Sequence, residues 1–337
     1  MAQSSNSSNG HHHVIVLLEK FFPLTPVLDL PAPQTYELRE YAHTRPDQLV
    51  ERIRDAEIII RTVLPIRAEA LTKAASPNLQ MIAVVGSGTD SIDLDACRTR
   101  GIVVTNTPHC NTSAVAEHAL GMYFAVRRSI PRSHRLTQAG EWAKRGMLLN
   151  VLHGPDDRAP RTCRDEVVGI LGYGGVGQKV AALSTALGMR VLLSGRKGVP
   201  ESLDRTPFDQ VICTASVLIL CLPKTPDTID YIATSEFEAM QSDTVLINVS
   251  RGGIVDEEAL VRALKKGEIA GAATDVFLKE PASEKDSPLL GTKVQDLNLV
   301  TTPHTAWVAE ETNANYLKTL EANVVAFVAG KPINVVR

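Results

Sequence analysis

Three things are scarce in this 337-residue sequence: an excess of one charge, long apolar runs and paired cysteines. The chain carries 35 Lys and Arg against 38 Asp and Glu, a net charge of −3. No overall basic field therefore draws it to nucleic acid or to an anionic membrane. The early apolar run VIVLL (residues 14–18) is far shorter than a bilayer span or a signal-peptide core needs. The expected location is cytoplasmic, where the Asn-x-Ser/Thr sequons at Asn6, Asn111 and Asn248 carry no meaning. Cys97, Cys110, Cys163, Cys213 and Cys221 form no Cys-x-x-Cys pair and no metal-ligand spacing, so they read as reduced thiols. The N-terminal MAQSSNSSNGHHH is polar and is expected to be disordered; its His11, His12 and His13 could bind a stray metal, but a floppy tail is the favoured reading and no metal site is expected. There is no low-complexity core and no internal repeat beyond a βαβ rhythm.

That rhythm is what the sequence does have. With 44% hydrophobic residues, the chain has length enough for two domains. Short apolar runs alternate with helix-length amphipathic segments. Strands are expected at 14–18, 57–61, 81–86, 102–106, 167–172, 190–195, 217–223, 244–250, 271–277 and 297–303. Runs rich in Val, Ile and Leu on both faces, separated by helices, indicate parallel sheets covered on both sides. Ten such strands are too many for one sheet of this length, so the expected fold is α/β with two doubly wound parallel-sheet domains. Residues 107–130 include a long helix, with Thr112 or Ser113 as N-cap, that is a candidate to cross between domains. Residues 153–166 are polar with two prolines and read as a loop, and residues 310–330 as a final helix closed by Gly330 and Pro332.

GYGGVG (172–177) places Gly172, Gly174 and Gly177 at GxGxxG spacing between an apolar run and a helical pattern. The first glycine permits a tight turn, the second a close approach of pyrophosphate, and the third close packing of helix on sheet. The helix N-terminus then offers unpaired N–H groups to phosphates. At the end of the next strand, 23 residues after Gly172, a dinucleotide unit ordinarily carries an acid for the adenine ribose. Gly195 stands there instead, flanked by Ser194, Arg196 and Lys197. An acid would repel a ribose 2′-phosphate; this set leaves room for one and supplies donors. Arg196 either donates two parallel hydrogen bonds or stacks on the adenine.

Three further strand ends carry Arg251, then Asp275 and Glu280, then His304. Open parallel sheets bind ligands at such carboxyl ends, and Arg, Glu and His facing one crevice would make an acid–base site.

SRGGIVDEEAL, DVFLKEP and TPHTAW, with 29 residues from Arg251 to Glu280 and 24 from Glu280 to His304, resemble the D-isomer-specific 2-hydroxyacid dehydrogenases. VVGSGTDSIDLDACRTRGIVVTNTP (84–108) and AVAEHALGMYFAVRR (114–128) are similar to that family's substrate-loop and hinge-helix segments. SGRKG and PHTAW look most like its glyoxylate/hydroxypyruvate reductase branch. The resemblance implies a Rossmann cofactor domain (109–305) and a flavodoxin-like substrate domain (1–108 and 306–337). It implies His304 as acid/base, Glu280 as its hydrogen-bond partner, Arg251 and the amides of Ser87 and Gly88 on the substrate carboxylate, and Asp275 as a supporting acid. The cofactor would be held by Gly172, Tyr173, Gly174, Gly175, Val176, Gly177, Ser194, Gly195, Arg196, Lys197, Leu222, Pro223 and Asp275, with NADP(H) preferred over NAD(H). The expected partner is a small 2-keto or 2-hydroxy acid. A homodimer is expected too, for which Val115, Ala119, Met122, Tyr123 and Val126 form either a docking stripe or intradomain core. Two other readings stay open: a bulkier aromatic or branched substrate, with Trp307 narrowing the pocket or stacking, and a dinucleotide-sensing corepressor-like protein. Cys221, Lys224 and Thr305 depart from the family's usual residues, and the 153–166 loop is longer than its usual link.

Overall fold

The computed structural model describes residues 10–21, 25–199 and 204–336. The chain forms two compact units, one of Met1–Asn111 with Ala309–Arg337 and one of Thr112–Val308. The seams lie three residues beyond the expected 108 and 305.

The first unit is built on five parallel strands, β1 (His12–Leu17), β2 (Thr35–Glu40), β3 (Ile58–Arg61), β4 (Met81–Val84) and β5 (Val103–Thr105), in the order β2-β1-β3-β4-β5. β3 and β4 are buried along their whole length, which is why the three isoleucines of β3 and MIAV read as apolar runs; Arg61 closes β3 and donates to Ser91 Oγ at 2.9 Å. β2, with the sequence TYELRE, was not among the expected strands. It lies at the sheet edge, half-exposed, and so carries charge where an inner strand carries Val or Ile. β1 also begins earlier than expected. The supposedly disordered His12 and His13 pair with Thr35 and Tyr36 of β2, because ladder hydrogen bonds extend the strand beyond its apolar residues. Residues 1–9 of that segment, with the Asn6 sequon, lie outside the described residues. The final helix, Glu310–Val328, buries Tyr316, Leu320 and Val324.

The second unit carries six parallel strands, β6 (Val167–Leu171), β7 (Arg190–Leu193), β8 (Val217–Leu220), β9 (Val245–Asn248), β10 (Gly271–Thr274) and β11 (Leu299–Thr301), in the order β11-β10-β9-β8-β6-β7. A single parallel bridge, Ser194 to Thr206, extends the sheet beyond β7. Alternate residues of each inner strand feed different cores. Val217 and Ile219 of β8 join Val245 and Ile247 of β9 on one face, while Leu218, Leu220 and Leu246 pack with Phe208, Val211 and Phe237 on the other. Both faces are therefore apolar.

The helix Thr112–Arg127 covers the first of these faces. Thr112 and Ser113 are its first residues rather than caps. Val115, Ala119, Met122, Tyr123 and Val126 are all buried against Val168, Ile170 and Ile247, so the stripe is intradomain core, not a spare docking face. Arg127 fixes the helix end, donating to Glu166 at 3.1 Å and to the Ser216 carbonyl at 2.8 Å. All five cysteines are free thiols. Among the described residues no helix is long and apolar enough to cross a membrane.

Candidate active site

β6 lies where the strand order reverses, between β7 and β8, and open sheets take their ligands at the carboxyl ends beside such a point. The fold itself requires the first and third glycines there. Gly172 has φ +95°, and a Cβ on it would lie 2.6 Å from the Cys221 carbonyl oxygen. A Cβ at Gly177 would lie 2.1 Å from the Gly172 oxygen. A Cβ at Gly174 would meet nothing within 4 Å. Gly174 is the N-cap of the helix Gly175–Ala186, and no side chain caps it. Unpaired helix N–H groups thus face open space, which fits the pyrophosphate of a dinucleotide. Tyr173 lies in this turn, Gly175 and Val176 open the helix, and Leu222 and Pro223 follow β8.

Just past β7, the Gly195 amide donates to the Thr206 carbonyl at 2.8 Å, and the Ser194 hydroxyl donates to the Gly195 carbonyl at 2.8 Å. Arg196 is exposed. Lys197, expected to add a looser, solvent-screened charge, has protein partners of its own. Its Nζ lies 2.8 Å from Glu236 Oε1 and donates to the Tyr231 carbonyl at 3.1 Å. Burial pushes the Glu236 carboxyl up, but hydrogen bonds from Lys197, the Ala233 amide and Ser235 outweigh it and hold it below its ordinary value. A cation the sequence reading missed stands in the vicinity. The Arg205 guanidinium lies over the Tyr173 ring, 4.6 Å from its centroid, and its Nη1 is buried with no hydrogen-bond partner among the described residues. A Cβ at Gly195 would lie 3.8 Å from Arg205 Cβ.

The residues expected to form the acid–base site sit on three consecutive strand exits. After β9, Asn248 shapes the turn, accepting from the Ser250 amide at 3.1 Å and donating to the Arg251 carbonyl at 3.2 Å. Gly252 is pressed against the exit of β10, where any Cβ would collide with the Phe277 carbonyl. After β10, Glu257 accepts from the Leu278 amide at 2.7 Å and steadies the loop that carries Glu280. Glu280 itself accepts from the Phe277 amide at 2.9 Å through Oε1. Its Oε2 lies 2.6 Å from His304 Nδ1. Burial raises the Glu280 carboxyl, but the His304 hydrogen bond and charge, the Phe277 amide and the Arg251 charge together hold it below the ordinary 4.5. Arg251 Nη1 donates to the Ser250 carbonyl at 2.8 Å.

His304 follows β11 at φ +54°, a region an L-residue enters only when its surroundings hold it there. Asp275 does most of the holding. Its carbonyl accepts from the His304 amide at 2.8 Å, and its buried carboxylate accepts from Thr302 Oγ1 (2.6 Å), the Thr305 amide (2.9 Å) and the Ala306 amide (2.8 Å). His118 lies 3.1 Å from Thr302 Oγ1. Arg251, Glu280, His304 and Asp275 thus come together within the second unit. Trp307 packs, half-buried, against that unit's core. Ser87 and Gly88 belong to the first unit, in the loop after β4, where Asn106 donates to the Ser87 carbonyl at 2.8 Å. Sequence reasoning missed Asn248, Glu257, Thr302, His118 and Arg205; only the polar pair Thr301-Thr302 before Pro303 and the acid pair Glu257-Glu258 signalled any of them.

Known proteins match this arrangement. The family model for the D-isomer specific 2-hydroxyacid dehydrogenase NAD-binding domain matches residues 120–306. A glycerate dehydrogenase of Methylorubrum extorquens is 38% identical over 303 residues, covering 89% of this chain and 92% of the relative. A glyoxylate reductase of Thermococcus gammatolerans is 31% identical over 290 residues, covering 84% and 83%. An NADPH-dependent glyoxylate/hydroxypyruvate reductase of Sinorhizobium meliloti, solved with NADP and malonate, superposes with a TM-score of 0.74 at 27% identity, covering 96% of each chain. With a matching family model, a nucleotide-binding turn and two parallel-sheet units, the chain belongs to the D-isomer-specific 2-hydroxyacid dehydrogenases, oxidoreductases that work with a nicotinamide dinucleotide.

Proposed function

We propose that the chain reduces a small 2-keto acid, glyoxylate, hydroxypyruvate or a close analogue, to the D-2-hydroxy acid, with NADPH as the preferred donor. The observation that carries this reading is the 2.6 Å pairing of His304 Nδ1 with Glu280, on a strand exit next to Arg251. When bound, the nicotinamide supplies the hydride. The protein supplies the rest. Arg251 binds the substrate carboxylate and polarises the carbonyl as negative charge grows on its oxygen. Glu280 takes Nδ1 of His304, which leaves Nε2 to give the proton to that oxygen. The Glu280 carboxylate also faces the ring whose proton is to be given, and so holds it in place. Asp275 positions the histidine through the backbone on both sides of it.

NADPH preference rests on Gly195 in place of an acid, with Arg196 and Arg205 as donors to the 2′-phosphate, joined by the Ser194 hydroxyl once it turns from the Gly195 carbonyl. Lys197 supports that turn through Glu236 rather than touching the cofactor. A homodimer, expected from the family resemblance alone, is checked by light scattering at micromolar concentration. The deciding assay is NADPH oxidation with glyoxylate and hydroxypyruvate against a panel of aromatic and branched 2-keto acids. Turnover of the bulkier acids alone would reassign the substrate, and cofactor binding without turnover of any 2-keto acid would reassign the protein to a sensing role.

A further inference from the structure

The three histidines at the start of β1 are not a loose tail. Thr35 N donates to the His11 carbonyl at 3.0 Å, so the parallel ladder reaches His11 itself. Strand alternation then sends His12 to one face and His11 and His13 to the other. His12 Nδ1 lies 2.8 Å from Thr35 Oγ1. On the opposite face stands Glu57, immediately before β3. Its own backbone is fixed on both sides, with its amide on the Val14 carbonyl at 2.9 Å and its carbonyl accepting from the Gln80 amide at 2.8 Å.

His11 Nε2 lies 2.8 Å from each Glu57 oxygen, and His13 Nδ1 lies 2.9 Å from Oε2. All three groups fall within 4.8 Å of one another, the one such set of His, Cys, Asp or Glu among the described residues. Ligands around a metal with bonds of about 2.0–2.1 Å stand roughly 3 Å apart, close to these separations. His13 Nε2 is buried with no hydrogen-bond partner among the described residues, so Nδ1 makes the ring's polar contact. His13 and Glu57 are 12% and 13% exposed, while His11 is 54% exposed and keeps one side of the set open to solvent.

We propose that His11, His13 and Glu57 form a binding site for a borderline divalent transition-metal ion, Zn²⁺ foremost. Two imidazoles and one carboxylate suit Zn²⁺, Ni²⁺ or Cu²⁺, whereas Mg²⁺ and Ca²⁺ call for oxygen ligands. Three protein ligands leave the remaining position to water. The site lies at the amino ends of the strands, the edge opposite to that where open parallel sheets take substrates. The ion would therefore tie the start of β1 to β3 and take no part in hydride transfer.

The test is a Zn²⁺ titration of the chelator-stripped full chain by calorimetry, with His11→Ala, His13→Ala, Glu57→Gln and His12→Ala. Outer-shell partners of a metal are worth about 10- to 100-fold in affinity, so loss of a direct ligand is expected to weaken binding by roughly 100-fold. His12→Ala, on the other face, should bind as the parent does. His11→Ala changes an exposed side chain and keeps the test open even where a His13 variant folds poorly. Zn²⁺ should also raise the melting temperature of the parent and of His12→Ala alone. No saturable Zn²⁺ site in the parent, or equal affinity in parent and His11→Ala, overturns the proposal.

Discussion

The His304 amide donates to the Asp275 carbonyl at 2.8 Å, while the Asp275 carboxylate takes the amides of Thr305 and Ala306, the two residues that follow. A histidine at φ +54° is thus fixed by one buried acid on the neighbouring strand. Asp275 is a positioning residue: it shapes the loop from which the histidine reaches Glu280.

Asp275→Asn should test that role. The amide side chain can accept at one oxygen only, and its NH₂ faces N–H donors, so at least one buried group loses its partner at a cost of about 1–3 kcal/mol. The melting temperature should fall, and kcat should fall by roughly 10- to 100-fold, since misplacing a catalytic group by an ångström has effects of that order. A variant with lowered stability and unchanged kcat would show that the acid merely stabilises the fold.

The Glu280 carboxyl lies below its ordinary 4.5, so it is charged throughout the neutral range. The sign for stability follows: a depressed carboxyl stabilises the fold above the ordinary value, and that contribution is lost as pH falls through the lower, folded-state value. For reduction, which needs the imidazolium, Glu280→Gln removes a negative charge from beside the cation. The alkaline limb of kcat/KM should therefore move to lower pH, with a milder loss of rate than in His304→Gln, where about 10²–10⁴-fold is expected. An alkaline limb that stays put in Glu280→Gln would falsify the pairing as a functional one.

Arg251→Lys should raise KM and lower kcat together, because one fork of donors serves carboxylate and developing alkoxide alike. Comparing a 2-keto acid with its amide provides the check. An amide that performs equally well would remove the carboxylate from Arg251's role.

The inner strands of both sheets were legible because burial on two faces forces apolar runs, as in the three isoleucines of β3 and VLIL of β8. TYELRE was not, since an edge strand with exposed faces has no such run to show. The placing of Arg251, Glu280 and His304 at strand exits was legible from order and spacing. What supports them was not: Asp275 acts through contacts to residues 302–306, a long-range register that local pattern does not encode. His11 and His13 looked like tail because the ladder that orders this end of β1 runs to β2, where His13 pairs with Tyr36, far along the chain. Lys197 looked like a cofactor cation because sequence lists it beside Arg196; only the fold brings Glu236 to it.

Cofactor choice separates those two neighbours. A charge-assisted hydrogen bond contributes about 1.5–3 kcal/mol, and at an exposed rim two of them should leave roughly a ten- to several-hundred-fold preference for NADPH over NADH in kcat/KM, shrinking as salt rises. Arg196→Ala and Arg205→Ala should each lower the NADPH value and leave the NADH value nearly unchanged, because only the phosphate is lost to them. Lys197→Ala should do the reverse of what its place in SGRKG suggests. The ratio should hold while the melting temperature drops, since Glu236, 8% exposed, loses its counter-ion. Gly195→Asp combined with Arg196→Ala should favour NADH. A Cβ at 195 meets the Thr206 oxygen at 3.5 Å, an ordinary contact, so the fold accommodates the acid. Steady-state kinetics with both cofactors at low and high ionic strength read all four variants, and equal kcat/KM for the two cofactors in the parent at low salt would leave SGRKG as nothing more than a solvated turn.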